Sequence, residues 1–291
     1  MNPSFIENMK IKELQRFVFS QLKPFFDGIE TKAYTDMLLR HYTGYDAVAL
    51  NLNPYVHIEN IAISQINSAI EDLLKNKPIQ YVLGETEFCG LRFKVNQSVL
   101  IPRQETEELV MWILEENPTA ENVLDLCTGS GCIAVSIANK LKNANLAGVD
   151  ISSEALSVAR ENATINHVSI AFSECNVLQP NFFINEKFDV IVSNPPYVRE
   201  MEKRQMHVRV LDYEPQLSLF VEDNNPLLFY KAIARIGTTH LTNNGKLYLE
   251  INEVYGKEIA DLLEQHDYKN IVLKKDIHGK DRMICGTYAI N

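Results

Sequence analysis

From residue 122 to residue 265 short apolar runs alternate with helical patterns, and no other feature of the chain limits the fold so tightly. Residues 122–126, 146–149, 168–172, 189–192 and 247–251 read as strands. Between them lie a helix through Ile133, Val135, Ile137 and Ala138, one opened by the N-cap signal Ser152-Ser153-Glu154, one starting at Pro226 and running to about Leu241, and one over 257–265. Val190, Ile191 and Val192 are β-branched without a polar break, as a parallel strand covered on both faces requires. Strands alternating with helices predict a doubly wound, mostly parallel α/β sheet. Residues 271–273 and 283–288, joined by the short turn 276–281, predict an antiparallel C-terminal edge.

Two strand ends carry candidate chemistry, because ligands of open α/β sheets bind beyond the carboxyl ends of the strands. The first runs into Cys127-Thr128-Gly129-Ser130-Gly131, where glycine permits unusual φ and close backbone approach to a ligand. Gly129 to Ala134 satisfies the loose GxGxxG/A dinucleotide pattern, which also admits an NAD-type oxidoreductase. Asp150 ends the next strand, where an acid can accept from both hydroxyls of a ribose; a solvated helix-capping acid is the other reading. These parts point to an adenosine-containing cofactor without saying which one.

The second strand end is Ser193-Asn194-Pro195-Pro196-Tyr197. Neither proline can donate to a ladder and both fix φ, so they stop the strand and hold Asn194 on a stiff turn with its amide facing the crevice. Alone, the tetrapeptide reads equally well as a simple strand terminator.

Upstream, residues 1–76 read as a small helical bundle. Ile11, Leu14, Val18 and Leu22 share one helix face that Pro24 closes; a second helix passes through Ala33, Met37, Leu38 and His41 to Gly44; a third carries Ala62, Ile66, Ala69, Ile70 and Leu73. Nothing catalytic stands in it, so it is expected to recognise a partner. Asn76-Lys77-Pro78 marks a boundary, after which Leu91, Phe93 and Val95 alternate with Arg92 and Lys94 in a linking β-hairpin (77–98), with Phe88, Phe93 and Tyr81 as its core. The α/β domain is then 99–291, opening with an amphipathic helix through Leu109, Val110, Ile113 and Leu114. Residues 198–225 show no clear element and read as a lid-like loop.

The formal charge of −10 weighs against a nucleic-acid substrate, since backbone binding rests on phosphate neutralisation, and favours a small molecule or a protein. Five cysteines without CxxC and seven histidines without HExxH predict reduced thiols, no metal and a cytoplasmic location. No apolar run approaches the roughly 20 residues that span a bilayer, so no membrane partner is expected.

Taken together, the DLCTGSG turn at 125–131, Asp150 and SNPPY at 193–197 resemble the class I S-adenosylmethionine-dependent methyltransferases, with their Rossmann-like sheet. SNPPY is shared by the adenine-N6 nucleic-acid and the glutamine-N5 enzymes. Pro78-Ile79-Gln80-Tyr81-Val82-Leu83-Gly84, Phe88-Cys89-Gly90, the stretch from Val99 to Glu107, Glu214-Pro215, Lys275-Asp276 and Asp281-Arg282 resemble the peptide-chain release factor glutamine methyltransferases, the HemK/PrmC family, from about residue 77 to the C-terminus. That family also has a helical N-terminal domain. The resemblance implies S-adenosyl-L-methionine as cofactor and S-adenosyl-L-homocysteine as product, held by Cys127, Thr128, Gly129, Ser130, Gly131, Asp150, Asn176, Val177 and Asn194. It implies a release-factor glutamine held by Asn194, Pro195, Pro196 and Tyr197, with Asn194, the Pro195 carbonyl and the Tyr197 ring as the catalytic set. Arg103 and Glu105, with Glu107, form either a polar wall near the cofactor or an exposed charged helix start. The family usually has Gly at Cys127, Pro at Gln104 and an acid near Asn176; Cys127 is tolerable there if its φ is negative. The rival readings are an adenine-N6 nucleic-acid methyltransferase and a non-catalytic scaffold of the same fold.

Overall fold

The computed structural model describes residues 9–179 and 186–289, and the chain divides into two compact units on either side of the Gly84–Glu85 bond. The first contains α1 (Ile11–Leu22), α2 (Gly28–Thr43), α3 (Ala47–Leu52), α4 (Asn60–Leu74) and α5 (Ile79–Leu83). The apolar stripes predicted for α1 and α4 are buried together, Ile11, Leu14, Val18 and Leu22 in one core with Ala62, Ile66, Ala69, Ile70 and Leu73, which Ile63 joins. Two short helices went unread. α3 rests on a cap rather than a stripe, with Asp46 Oδ1 accepting from the Val48 and Ala49 amides at 3.0 and 2.8 Å. The turn signal at Asn76-Lys77-Pro78 is real, since Asn76 has φ +66° and Lys77 Nζ donates to Asp72 at 2.8 Å. The chain then returns to the same core through Ile79 on α5, so the contact boundary falls at Gly84, with φ +72°, and not at residue 76. Tyr81 accordingly lies on α5 and not in the hairpin.

The second unit opens with the hairpin β1 (Glu85–Phe88) and β2 (Leu91–Lys94), then α6 (Gln104–Glu116). β3 (Asn122–Leu126), α7 (Cys132–Lys140), β4 (Asn145–Asp150), α8 (Ser153–Ile165), β5 (Ala171–Glu174) and β6 (Phe188–Ser193) follow. After them come β7 (Val198–Arg199), α9 (Val208–Tyr213), β8 (Phe220–Val221), α10 (Leu228–His240), β9 (Leu241–Glu250), α11 (Gly256–Gln265), β10 (Tyr268–Lys275) and β11 (Asp281–Tyr288). Among the described residues the main sheet has seven strands in the order β10-β11-β9-β6-β3-β4-β5. β3, β4, β5, β6 and β9 are mutually parallel; β11 is antiparallel to both β9 and the outermost strand β10. Alternation along each central strand feeds two cores: Leu124, Ile191, Leu247 and Leu249 face α10 and α11, whereas Val123, Val190, Val192 and Tyr248 face α6, α7 and the hairpin residues Phe88 and Phe93. Each such Val, Leu or Ile contributes about 1.5–3 kcal/mol on burial, which makes the double-sided strands the most strongly held parts of the unit.

Two expectations are corrected here. β5 begins at Ala171 and not at Val168, because Val168 closes the end of α8: His167 takes φ +55°, its amide donates to Thr164 O, and the Val168 amide donates to Ala163 O at 3.0 Å. That is a Schellman closure, which uses an apolar residue at the position after the left-handed one. Residues 198–225 are not an open loop. β7 pairs with β8 in parallel, flanking α9 and two 3₁₀ turns, Glu200–Gln205 and Gln216–Ser218. Elements of two to six residues are too short to show a period, and distant partners hold them, as when Met201 N donates to Asp223 at 3.0 Å.

α10 packs closely on β10 at Gly237, where an added Cβ would lie 1.8 Å from the hydroxyl of fully buried Tyr268, itself donating to Ala234 O. Gly237→Ala is expected to cost about 1–3 kcal/mol by overpacking in urea denaturation, against the gain of up to about 1 kcal/mol that the same change brings in an open helix. A more stable variant would mean that the α10–β10 contact yields freely.

Candidate active site

The strands numbered β3 to β5 proceed to one side of the sheet, and the chain then crosses back to place β6 beside β3. Order therefore reverses between β3 and β6, with Leu126 opposite Ser193, and Ser193 Oγ donating to Leu126 O at 2.6 Å. Beyond these carboxyl ends opens a cavity of about 330 Å³. Its wall includes Arg103 and Thr106 from the start of α6, Cys127 to Ser130 after β3, Asp150 and Ile151 after β4, Asn176, Val177 and Leu178 after β5, and Asn194 and Pro196 after β6. Pro215, Leu217, Ser218 and Phe229 also line it.

The turn after β3 must fold back over its own strand to start α7. Thr128 N donates to Val149 O on the neighbouring strand, Gly131 N donates to Thr128 O, and Gly129 and Gly131 take φ of +54° and +78°. A Cβ on Gly131 would meet Ala159 Cβ on α8 at 3.1 Å, so glycine is needed there for close packing as well as for φ. Cys127 also takes a positive φ, +60°, so the condition of a negative φ under which a cysteine is tolerable there is not met. The chain path is that of a glycine, and an L-residue in it costs roughly 1–2 kcal/mol. Asp150 Oδ2 accepts from Gly129 N at 2.9 Å and Oδ1 from Ser152 N at 3.0 Å, so each oxygen is fixed by a backbone donor and keeps a lone pair. Burial raises the Asp150 pKa, opposed by these same backbone donors. Asn176 turns its side-chain oxygen onto the Leu178 amide at 2.9 Å.

At the other strand end, Asn194 Nδ2 donates to Thr106 Oγ1 at 3.2 Å, and the Thr106 hydroxyl donates to Glu250 Oε2 at 2.6 Å. Tyr197 Oη donates to the other oxygen, Glu250 Oε1, at 3.0 Å. Glu250 is 1% exposed, and burial raises its pKa against the pull of Thr106, Tyr197 and Arg282. Pro195 and Tyr197 do not line the cavity: Pro195 is buried, and the Tyr197 ring packs on the core shared with α10 and α11. Arg103 lines the cavity and donates to the carboxylate of buried Glu214, which also accepts from Ile101 N at 3.2 Å. This clamp carries Pro215 and Leu217 into the wall. Glu105 lies 3.8 Å from His278, and Glu107 accepts from Cys89 N at 2.6 Å; neither lines the cavity. Of the three, Arg103 alone lines the cavity, held from behind by buried Glu214, a partner more than a hundred residues away.

Thr106 and Glu250 went unassigned in the sequence. Thr106 lies inside the stretch 99–107 and Glu250 inside the strand expected over 247–251, and neither position alone marks a role. The available signal was the acid itself, closing a run of apolar residues in a strand next to Asn194, with Leu249 opposite Ser193.

The strand order with its antiparallel C-terminal strands, the glycine turn after β3 and the acid after β4 define a class I methyltransferase. The fold is shared with a methyltransferase from Pyrococcus furiosus (TM-score 0.51, 18% identity, 77% of this chain and 100% of that one). It is shared also with the hMettl16 catalytic domain solved in complex with the MAT2A 3′UTR hairpin 6 (TM-score 0.55, 12% identity, 82% of this chain and 86% of that one). At these identities the likeness concerns fold alone. Residues 105–212 match the methyltransferase small domain family. Over 95% of its length the chain is 48% identical to the release factor glutamine methyltransferase of Flavobacterium psychrophilum, covering 98% of that protein. It is 40% identical to the protein of that name in Bacteroides thetaiotaomicron over 94% of this chain and 99% of the relative. The chain belongs to the release factor glutamine methyltransferase family. Among the described residues no helix is long and apolar enough to cross a membrane, and no group of three or more His, Cys, Asp or Glu could hold a metal ion.

Asp125 lies beneath the glycine turn, fully buried, with Oδ2 accepting from Thr128 and Ala134 and Oδ1 without a partner. Burial pushes its pKa up to about 7. The protonated form is the one the fold favours, so its stabilising contribution is complete below the ordinary aspartate range and is lost as pH rises through about 7. Asp125→Asn removes that titration. Urea denaturation is expected to show the variant gaining on the unmutated protein between about pH 5 and about pH 8, by at most ~1.4 kcal/mol per pH unit. A pH-independent difference would mean that the carboxyl stays ionised throughout.

Proposed function

We propose that this enzyme transfers a methyl group from S-adenosyl-L-methionine to the side-chain amide nitrogen (N5) of a glutamine, the one in the Gly-Gly-Gln motif of peptide-chain release factors, in the cytoplasm. The observation that carries this reading is Asn194, set at the lip of the cavity that Asp150 and the glycine turn line, with one end of its amide already bonded to Thr106. The names of the relatives supply the substrate class, and the charge of −10 supports a protein over a phosphate backbone. The helical unit, with Ile29, Leu52 and Tyr55 exposed, suits contact with a protein partner.

The residues present fit the cofactor. Asp150 has free lone pairs for the ribose hydroxyls, Ile151, Val177 and Leu178 offer apolar contact to a purine with Asn176 at its polar edge, and the segment 127–130 borders the remaining space, whereas Gly131 does not line it. When bound, the cofactor supplies an electrophilic methyl on a sulfonium and a neutral thioether leaving group, S-adenosyl-L-homocysteine.

The amide nitrogen of glutamine is a poor nucleophile because its lone pair is delocalised into the carbonyl. The Asn194 side-chain oxygen, which borders the cavity where Pro195 does not, takes an N–H group of the substrate amide, aims the nitrogen along the line of attack and stabilises the positive charge that develops on it. The N–C bond forms as the C–S bond breaks, the electron pair stays on sulfur, and the proton leaves the nitrogen afterwards, so no general base is required. Pro196 lends stiffness to the turn. Tyr197, tied to Glu250, braces it from the core side instead of packing on the substrate.

The test uses labelled S-adenosylmethionine with purified release factor, its Gln→Ala variant and duplex DNA. Label is expected on the unmutated factor alone, and label on DNA alone would replace this reading with the adenine-N6 one. Asn194→Ala is expected to leave the cofactor Kd within about twofold and to lower turnover by about 10²–10³-fold. Equal loss of both would make Asn194 chiefly a cofactor ligand.

A further inference from the structure

We infer that Glu250 is a positioning residue that sets the polarity of Asn194 through the Thr106 hydroxyl; this rests on the reading above, in which the Asn194 oxygen is an acceptor for the substrate. An asparagine amide has nearly the same shape in either orientation, but only one presents an oxygen to a donor in the cavity. The other presents NH₂ and repels the substrate N–H groups. Something must choose between them.

Thr106 alone cannot choose, because a hydroxyl has one hydrogen and two lone pairs and can either give to Asn194 or take from it. Glu250 receives a hydroxyl hydrogen on each of its two oxygens, from Thr106 and from Tyr197, and in that arrangement it serves as a carboxylate, which can only accept. With Glu250 Oε2 at 2.6 Å, the single hydrogen of Thr106 is committed to Glu250, and only lone pairs remain for Asn194. The side-chain nitrogen of Asn194 must then face Thr106, at 3.2 Å, and its oxygen must face the cavity. Tyr197 donates to Glu250 Oε1 and completes the set, so both carboxylate oxygens receive hydrogens and neither gives one. Glu250 itself touches no part of the cavity, and packing does not call for it: a buried carboxylate is costly, and an apolar residue of similar size would stabilise the core more. Its value lies in being unable to donate.

Glu250→Gln keeps the shape and adds a donor, which can give to Thr106, reverse its hydroxyl and release Asn194 to turn its NH₂ outward. The expected result is a fall in kcat of about 10²-fold on release factor, with the cofactor Kd unchanged and the thermal midpoint not lowered. Thr106→Val is expected to show a similar fall, which Thr106→Ser recovers. In an Asn194→Ala background Glu250→Gln is expected to have no further effect, because the two act on one contact. Independently of activity, the Asn194 side-chain NH₂ signal in ¹⁵N spectra, assigned by its absence in Asn194→Ala, is expected to show one slowly exchanging proton that Glu250→Gln abolishes. A Glu250→Gln enzyme with near-normal kcat, or one whose loss multiplies with that of Asn194→Ala, would overturn the relay. If the unmutated enzyme leaves release factor unlabelled while the NH₂ signal behaves as stated, the substrate reading fails and the orientation of Asn194 by Glu250 stands.

Discussion

The pairing of β3 with β6 is the contact on which the site depends. It sets Leu126 opposite Ser193, and one residue beyond each strand end the chain turns into the cavity: into the glycine turn on one side, into Asn194 on the other. A slip of one residue would turn every side chain of β6 to the opposite face, exchanging Val190 and Val192 for Ile191 against the helices. Both faces of these strands are fully buried, so the register is held by the cores and not by the turn residues. The Ser193 hydroxyl on Leu126 O closes the last polar gap between the two strand ends.

Around that pairing the molecule keeps carboxylates where hydration is absent. Asp125, Glu214 and Glu250 are each at most 4% exposed, and each is matched with donors that arrive from elsewhere in the chain or the turn above. Such groups lower the stability of the core relative to apolar residues. They are tolerated because each holds an irregular piece of backbone or an adjoining side chain: Asp125 the Thr128 turn, Glu214 the entry to α6, Glu250 the pair of Thr106 and Tyr197. Turns and loops have no ladder of their own, and directional bonds to a buried acceptor supply the missing constraint.

Much of the fold was readable in the chain, since long periodic elements carry their own signal. The stripe of α1, the unbroken apolar run of β6 and the hairpin alternation at Leu91 and Phe93 each reflect a face that must be buried. Val168 shows the limit: its apolar side chain served a helix closure, a local demand indistinguishable by hydropathy from a strand start. Cys127 shows another, because a φ of +60° is imposed by the path from β3 to α7 and leaves no mark on a residue type that usually avoids it. The segment 198–225 was opaque because its elements are shorter than any period and rest on partners such as Asp223 for Met201 and Arg103 for Glu214.

The amino-acid sequence by itself determined the class of sheet and the two strand ends, with Gly129, Asp150 and Asn194 standing at or just past strand ends, because periodicity and turn stereochemistry are local. Only the tertiary structure decided which groups face the cavity and which way they point. It turned Tyr197 toward the core, paired Arg103 with Glu214, and brought Glu250 from β9 against Thr106 from α6. Those decisions belong to contacts between residues far apart in the chain, where a hydroxyl with one proton takes its direction from whatever acceptor the fold happens to bring beside it.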